Sequence, residues 1–305
     1  MKLKTYALLL TCVLFWGSNF VFGTILVQQF SPMALSAVRL SFTALFFIVV
    51  MLFTRRWPTL KMRDLLLFLP LGLIGTVVNQ TAFFNGMQTT DATTAALVMS
   101  LAPITTAYLA RWLLKEPLSK PMITGSVAAL AGVFLVVGRG GGFSLSLSLG
   151  EIMIFIAMLS FAVSVILVRK LTERMEPLAI TIHASWIGAV LQVPCALLLE
   201  PSIRLSHSVW MWLLAVGSAL GSQVIATLIW NRQLKEIGAG KSAVFLNLQP
   251  FVAMLVGFIL LGTKVTLGQL GGSLLIIGGV LIASEVLVKK EPPLPVPKRG
   301  SDLNA

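Results

Sequence analysis

Ten stretches of about twenty mostly apolar residues follow one another along this chain, each ended by charge, proline or glycine. They run over 6–28, 33–53, 65–85, 92–112, 119–137, 150–168, 178–198, 209–230, 239–261 and 267–287. A helix needs about 20 apolar residues to cross the hydrocarbon of a bilayer. There a helix satisfies all its own backbone polar groups, which lipid cannot do for it. Joints as short as Gln29 to Pro32 and Gly86 to Asp91 make neighbouring helices antiparallel hairpins. Of 305 residues, 57% are apolar and 11% charged, against about 25% charged in soluble domains. This excludes a soluble enzyme, a disordered protein and, despite a net charge of +12, a nucleic-acid-binding domain. The first run, from Tyr6 to Gln28, is too long for a signal-peptide core and no small-residue cleavage motif follows it, so it reads as the first span.

The basic residues orient the bundle. One side receives Lys2, Lys4, Arg55, Arg56, Lys61, Arg63, Arg111, Lys115, Lys120, Arg169, Lys170, Arg174, Arg232, Lys235, Lys241, Lys289, Lys290, Lys298 and Arg299. The other receives Arg139, Arg204 and Lys264, and Arg39 lies within the second span. Short loops rich in Lys and Arg stay in the cytoplasm, so both termini are expected there, with the protein in the cell (plasma) membrane. The proline-rich stretch 288–305 reads as a disordered cytoplasmic tail. Cys12 and Cys195 fall inside apolar runs and read as small buried hydrophobes.

The two halves of the sequence match. At an offset of 145, Pro32 meets Pro177 and Ala34 meets Ala179; at 147, Ala92 meets Ala239, Ala96 meets Ala243, Pro103 meets Pro250, Gly125 meets Gly272 and Gly132 meets Gly279. Each half holds five helices. Five is odd, so the second half enters the membrane from the opposite face, which is the inverted repeat of many secondary transporters. The expected fold is an all-α polytopic membrane protein of ten transmembrane helices in two inverted five-helix repeats, 6–137 and 150–287.

The residues also resemble a known family. Trp16-Gly17-Ser18-Asn19-Phe20, Pro32-x-Ala34 followed by Arg39, and Ala95-Ala96-Leu97 followed by Pro103 and Glu116, with the echo Ala243 to Pro250, are similar to the drug/metabolite transporter superfamily, EamA type. The likeness covers about 6–287. It implies two EamA-like five-helix domains and export of small metabolites or drugs. The chain departs from the family pattern where the counterpart of Glu116 is Thr263.

No Asp or Glu lies deep in a span, and the two His and two Cys form no metal or cofactor site. Arg39 is the one obvious charge within a span, roughly 10 Å from the outer end at 1.5 Å per residue. Burying it calls for water, helix carbonyls, a neighbouring helix end or an anionic substrate group. His183 lies nearer the cytoplasmic end of its span. Uncharged polar residues gather near the midplane: Trp16, Asn19, Ser100, Ser160, Ser164, Ser222, Gln223, Asn247 and Gln249, with Asn79 and Gln80 slightly further out. Amides in hydrocarbon need partners, so these face the bundle interior, as interhelical glue or as a substrate cavity. The cluster is read as a cavity lined by Trp16, Asn19, Arg39, Asn79, Gln80, Ser222, Gln223 and Asn247, with hinges at Pro103 and Pro250. Such a mostly uncharged cavity suits a zwitterion or a neutral amphiphile. Gly217-x-x-x-Gly221 and Gly268-x-x-x-Gly272 mark close helix approach. Gly240-Lys241-Ser242 mimics a phosphate loop, but Lys235 stands where its first glycine belongs and a span, not a strand, precedes it.

The chain is therefore expected to be a secondary transporter exporting amino acids, related metabolites or amphipathic drugs, as a monomer or homodimer in the lipid bilayer, without cofactor, nucleic acid or catalysis. Uptake by the same fold and, less favoured, a channel remain the alternatives. In a background lacking Cys12 and Cys195, Arg56→Cys should be shielded from an impermeant thiol reagent in intact cells and Gly141→Cys labelled; labelling at 56 overturns the ten-span order.

Overall fold

The structure is a computed structural model that describes residues 3–55, 57–90, 92–137, 148–262 and 267–283. Every regular element among them is helical. They form ten rods: α1 (Leu3–Leu26), α2 (Pro32–Thr54), α3 (Met62–Thr89), α4 (Ala92–Met99 continued by Ala102–Leu113), α5 (Lys120–Val137), α6 (Leu149–Leu171), α7 (Pro177–Leu199), α8 (Val209–Ile237), α9 (Ala239–Leu261) and α10 (Leu267–Ala283). The expected tail at 288–305 and Thr263 lie outside the described residues. Seven rods, α1, α2, α3, α6, α7, α8 and α9, are long and apolar enough to cross a bilayer, and Leu270–Ala283 is a shorter apolar helix.

The run read from sequence as one helix over 92–112 is broken into pieces of 8 and 12 residues. Pro103 has no N–H to donate and its ring crowds the carbonyl four residues earlier. The chain tightens just before it, where Leu101 N–H bonds the Val98 carbonyl three residues back at 3.2 Å. The second half does the same thing: α9 narrows to a 3-10 turn over Val244–Leu248 before Pro250. A second matched pair was not visible in the sequence. α3 opens into a π-helical turn over Leu73–Val78 and α8 into another over Leu220–Ala226. Leu73 and Leu220 are 147 apart, the offset that relates Pro103 to Pro250. Each π turn adds a residue to the helical path and swings the following side chains by about 100°.

Contacts run between the halves. α2 packs on α7, α3 on α6, α1 on α8 and α9, α4 on α6 and α9, and α5 on α10. The α5–α10 seam is the tightest crossing. A Cβ at Gly132 would stand 2.5 Å from the Gly272 carbonyl oxygen, and one at Gly279 the same distance from the Gly125 carbonyl oxygen. Only glycine lets backbones meet this closely in a membrane bundle. Of the other small-residue pair, Gly221 faces the Phe15 ring, whereas Gly217 has open space beside it.

Gly132→Leu should force the seam apart and lower stability by about 1–3 kcal/mol, read as a fall in the thermal unfolding midpoint in detergent. Gly271→Ala, where nothing lies within 4 Å, should stay within about 0.5 kcal/mol of the parent.

Candidate functional site: a central polar cavity

A cavity of about 230 Å³ lies where α1, α2, α3, α4, α6, α7, α8 and α9 meet. Seven of the eight residues expected to bind substrate line it: Trp16, Asn19, Arg39, Asn79, Gln80, Ser222 and Gln223. The two π turns put many of them there. Gly75 and Thr76 lie within the first, with Asn79 and Gln80 just after it; Ser222 and Gln223 lie within the second, with Thr227 just after it. The Ser222 carbonyl accepts hydrogen bonds from Trp16 Nε1 and Thr227 Oγ1, each at 3.0 Å.

Asn247 is the exception. It is not among the lining residues. It is buried in the 3-10 turn, with Nδ2 donating to the Val244 carbonyl at 3.1 Å and Oδ1 unpartnered. The 3-10 turn rotates it away from the cavity, while its neighbour Gln249 stays on the wall. Pro103 and Pro250 do not touch the cavity but hold the breaks beside Met99, Ala102 and Gln249, which do. Ser164 also lines it, whereas Ser100 and Ser160 do not. His183 is packed edge-on against Phe68 and Trp186 and stands outside the wall.

Several wall residues escaped sequence reasoning. Thr181 and Asn231 lie near helix ends, and Asn231 Nδ2 donates to Thr181 Oγ1 at 2.9 Å. Phe161 and Trp230 form an aromatic wall with Trp16, at centroid distances of 5.9 and 5.1 Å from it. Nothing in a sequence this rich in apolar residues distinguishes these two rings; only the position of Trp16 in the quoted motif pointed to the wall.

Arg39 joins three helices. Its guanidinium donates to Ser218 Oγ at 2.5 Å, Asn19 Oδ1 at 2.8 Å and Ser222 Oγ at 3.1 Å, and lies 5.5 Å from the Phe84 ring centroid. Nearby, Thr43 Oγ1 donates to Gln223 Oε1, Asn79 Nδ2 to the Ala157 carbonyl, and Gln80 Nε2 to Asn79 Oδ1. The wall reaches Val168, Thr181 and Leu234 toward the end of the bundle where α1 begins, and is bounded by Phe20 and Phe83 on the way to the other end.

A glutamate ties the halves together at each end. At the end where α1 begins, Glu116 accepts from Arg169 Nε at 2.9 Å and from the Ala239 and Gly240 N–H groups that open α9. The stretch that mimics a phosphate loop is thus occupied by a carboxylate of the chain itself. At the far end, Glu200 Oε2 accepts from the Met33 and Ala34 N–H groups that open α2, at 2.7 and 3.2 Å. Ser31 N–H donates to the Arg204 carbonyl beside it. Both exploit the unsatisfied N–H groups and positive dipole end of a helix.

The sequence profile of the EamA-like transporter family matches residues 3–138 and 148–285, one copy on each half. The chain belongs to the EamA-like transporter family. An uncharacterized transporter of Bacillus subtilis (strain 168), YyaM, is 33% identical over 290 residues, covering 93% of this chain and 95% of that one. An uncharacterized transporter of Archaeoglobus fulgidus is 26% identical, covering 92% and 98%. A solved crystal structure superposes with a TM-score of 0.78 at 19% identity, over 94% of this chain and all of that one, which supports the fold. The protein is thus a multispanning membrane transporter, working in a lipid bilayer on a small molecule.

Glu116→Ala should remove a charge-assisted set of hydrogen bonds and lower stability by about 1.5–3 kcal/mol, measured by thermal unfolding in detergent. Arg232→Ala, which breaks only the exposed Arg232–Glu236 pair, should change it by less than about 1 kcal/mol.

Proposed function

We propose that this EamA-like protein exports small organic molecules across the plasma membrane by alternating access. In this reading ten transmembrane helices form two inverted repeats, 6–137 and 150–287, with both termini cytoplasmic. The carrying observation is the central cavity, whose walls come from α1, α2, α3 and α4 of the first half and α6, α7, α8 and α9 of the second. A site shared this way can be released to one side or the other as the halves rock. Matched π turns, matched proline breaks and helix pairs that map onto one another under a two-fold exchange support the inverted repeat. The one-sided distribution of Lys and Arg supports the orientation.

The substrate sits against Trp16, Asn19, Arg39, Asn79, Gln80, Ser222 and Gln223. Pro103 and Pro250 act as hinges, because each leaves a backbone carbonyl without its helical donor next to the wall. The protein works as a carrier without covalent chemistry or cofactor, as a monomer or homodimer.

The experiment is a thermal-shift screen of the purified protein against metabolites, then counterflow of the best hit in proteoliposomes. Hydrogen bonds contribute about 0.5–1.5 kcal/mol each, so Asn19→Ala, Gln80→Ala and Gln223→Ala should each weaken binding roughly threefold to tenfold. Asn247→Ala should leave affinity within about twofold, since its side chain faces away from the wall. Absence of counterflow sinks the carrier reading; parental affinity in all three wall variants moves the site elsewhere.

A further inference from the structure

The charge of the cavity says more about its occupant than its shape does. Arg39 is 1% exposed and forms part of the wall. Its partners are all neutral: two serine hydroxyls, an asparagine carbonyl and the Phe84 ring. Its Nε, also buried, has no partner. Among the described residues no ion pair involves Arg39, and no Asp, Glu, Lys or His lines the cavity beside it. A buried charge is unfavourable unless it is paired, so Arg39 brings to the wall one positive charge that no acid compensates.

We propose that the transported molecule is an organic monoanion whose single carboxylate accepts from Arg39, with its apolar body against Trp16, Phe161 and Trp230. This rests on the carrier reading and names its substrate class. A second carboxylate would enter a wall with no second cation. An ammonium group would meet no carboxylate, so zwitterions and organic cations are disfavoured. A neutral amphiphile would leave the guanidinium charge as uncompensated as in the empty cavity. The cavity, of about 230 Å³, has room for a short or single-ring acid.

The test uses the purified full chain in detergent, with binding followed by quenching of tryptophan fluorescence or by calorimetry. The probes are benzoate, phenylacetate and butyrate, each paired with its neutral amide, and phthalate and phenylalanine as dianion and zwitterion. Hydrogen bonds to charged groups discriminate by about tenfold or more. At least one monoacid should therefore bind at least about tenfold tighter than its amide, and tighter than phthalate or phenylalanine. Arg39→Gln should bring acid and amide to within about twofold, and Arg39→Lys should keep part of the preference. If Arg39→Gln does not fold, the acid-to-amide ratio of the parent and of Arg39→Lys decides. Equal binding of acids and amides by the parent, no acid binding tighter than about 10 mM, or a preference undiminished in the Arg39 variants overturns the proposal. Counterflow of radiolabelled probes separates the two readings. An acid that binds without flux supports the site and defeats the carrier reading, whereas amides carried as well as acids leave the carrier reading and defeat this one.

Discussion

Lipid offers no partner to a backbone N–H or C=O, and the rest of this structure follows from that constraint. Regular helix satisfies these groups internally, so departures from it are confined to places where protein or cavity supplies other partners. Among the described residues, the two π turns and the two tightened segments ahead of Pro103 and Pro250 all border the central cavity. The Ser222 carbonyl shows the exchange directly, since an indole of α1 and a threonine hydroxyl of α8 bond it. Irregular backbone and cavity are two aspects of one arrangement.

The same requirement extends to the helix ends. The first N–H groups of α2 and α9 lack intrahelical acceptors, and each pair is met by a glutamate from the opposite half of the chain. The ends of the bundle are therefore joined by charge against helix dipole. Around the cavity the joints are hydrogen bonds of Arg39, Thr43 and Asn79 to other helices. The α5–α10 seam stands apart from the cavity and is joined by close packing of backbones and of side chains such as Ile276 and Ala283.

Hydropathy made the ten rods legible, because twenty consecutive apolar residues have few alternatives to a spanning helix. Asn19, Asn79, Gln80 and Gln223 were legible from depth, because amides in hydrocarbon must turn inward, whereas Trp16 stood out by its motif and Arg39 by its charge. Depth does not fix the direction a side chain faces. Asn247 has the right depth and lies off the wall because a 3-10 turn alters its direction, a change that propensity does not signal. The π turns were invisible for the same reason: Leu73–Val78 and Leu220–Ala226 read as ordinary apolar helix. Phe161 and Trp230 were hidden among many apolar residues. Glu200 was overlooked because a lone acid after a span looks like a solvated loop residue, and its target lies 167 residues away in sequence.

Arg39 also has an electrical consequence. A cation held inside the bundle with no acid beside it among the described residues makes the empty protein one charge more positive, within the membrane, than a protein whose cavity holds an anion. The membrane field acts on a charge with about 2.3 kcal/mol per 100 mV across its full width, and on a partial displacement in proportion. An interior-negative voltage then bears on the unloaded half of the cycle. Under the proposed reading of an anion exporter with cytoplasmic termini, that voltage would draw the vacated site back toward the cytoplasm and help reset the carrier.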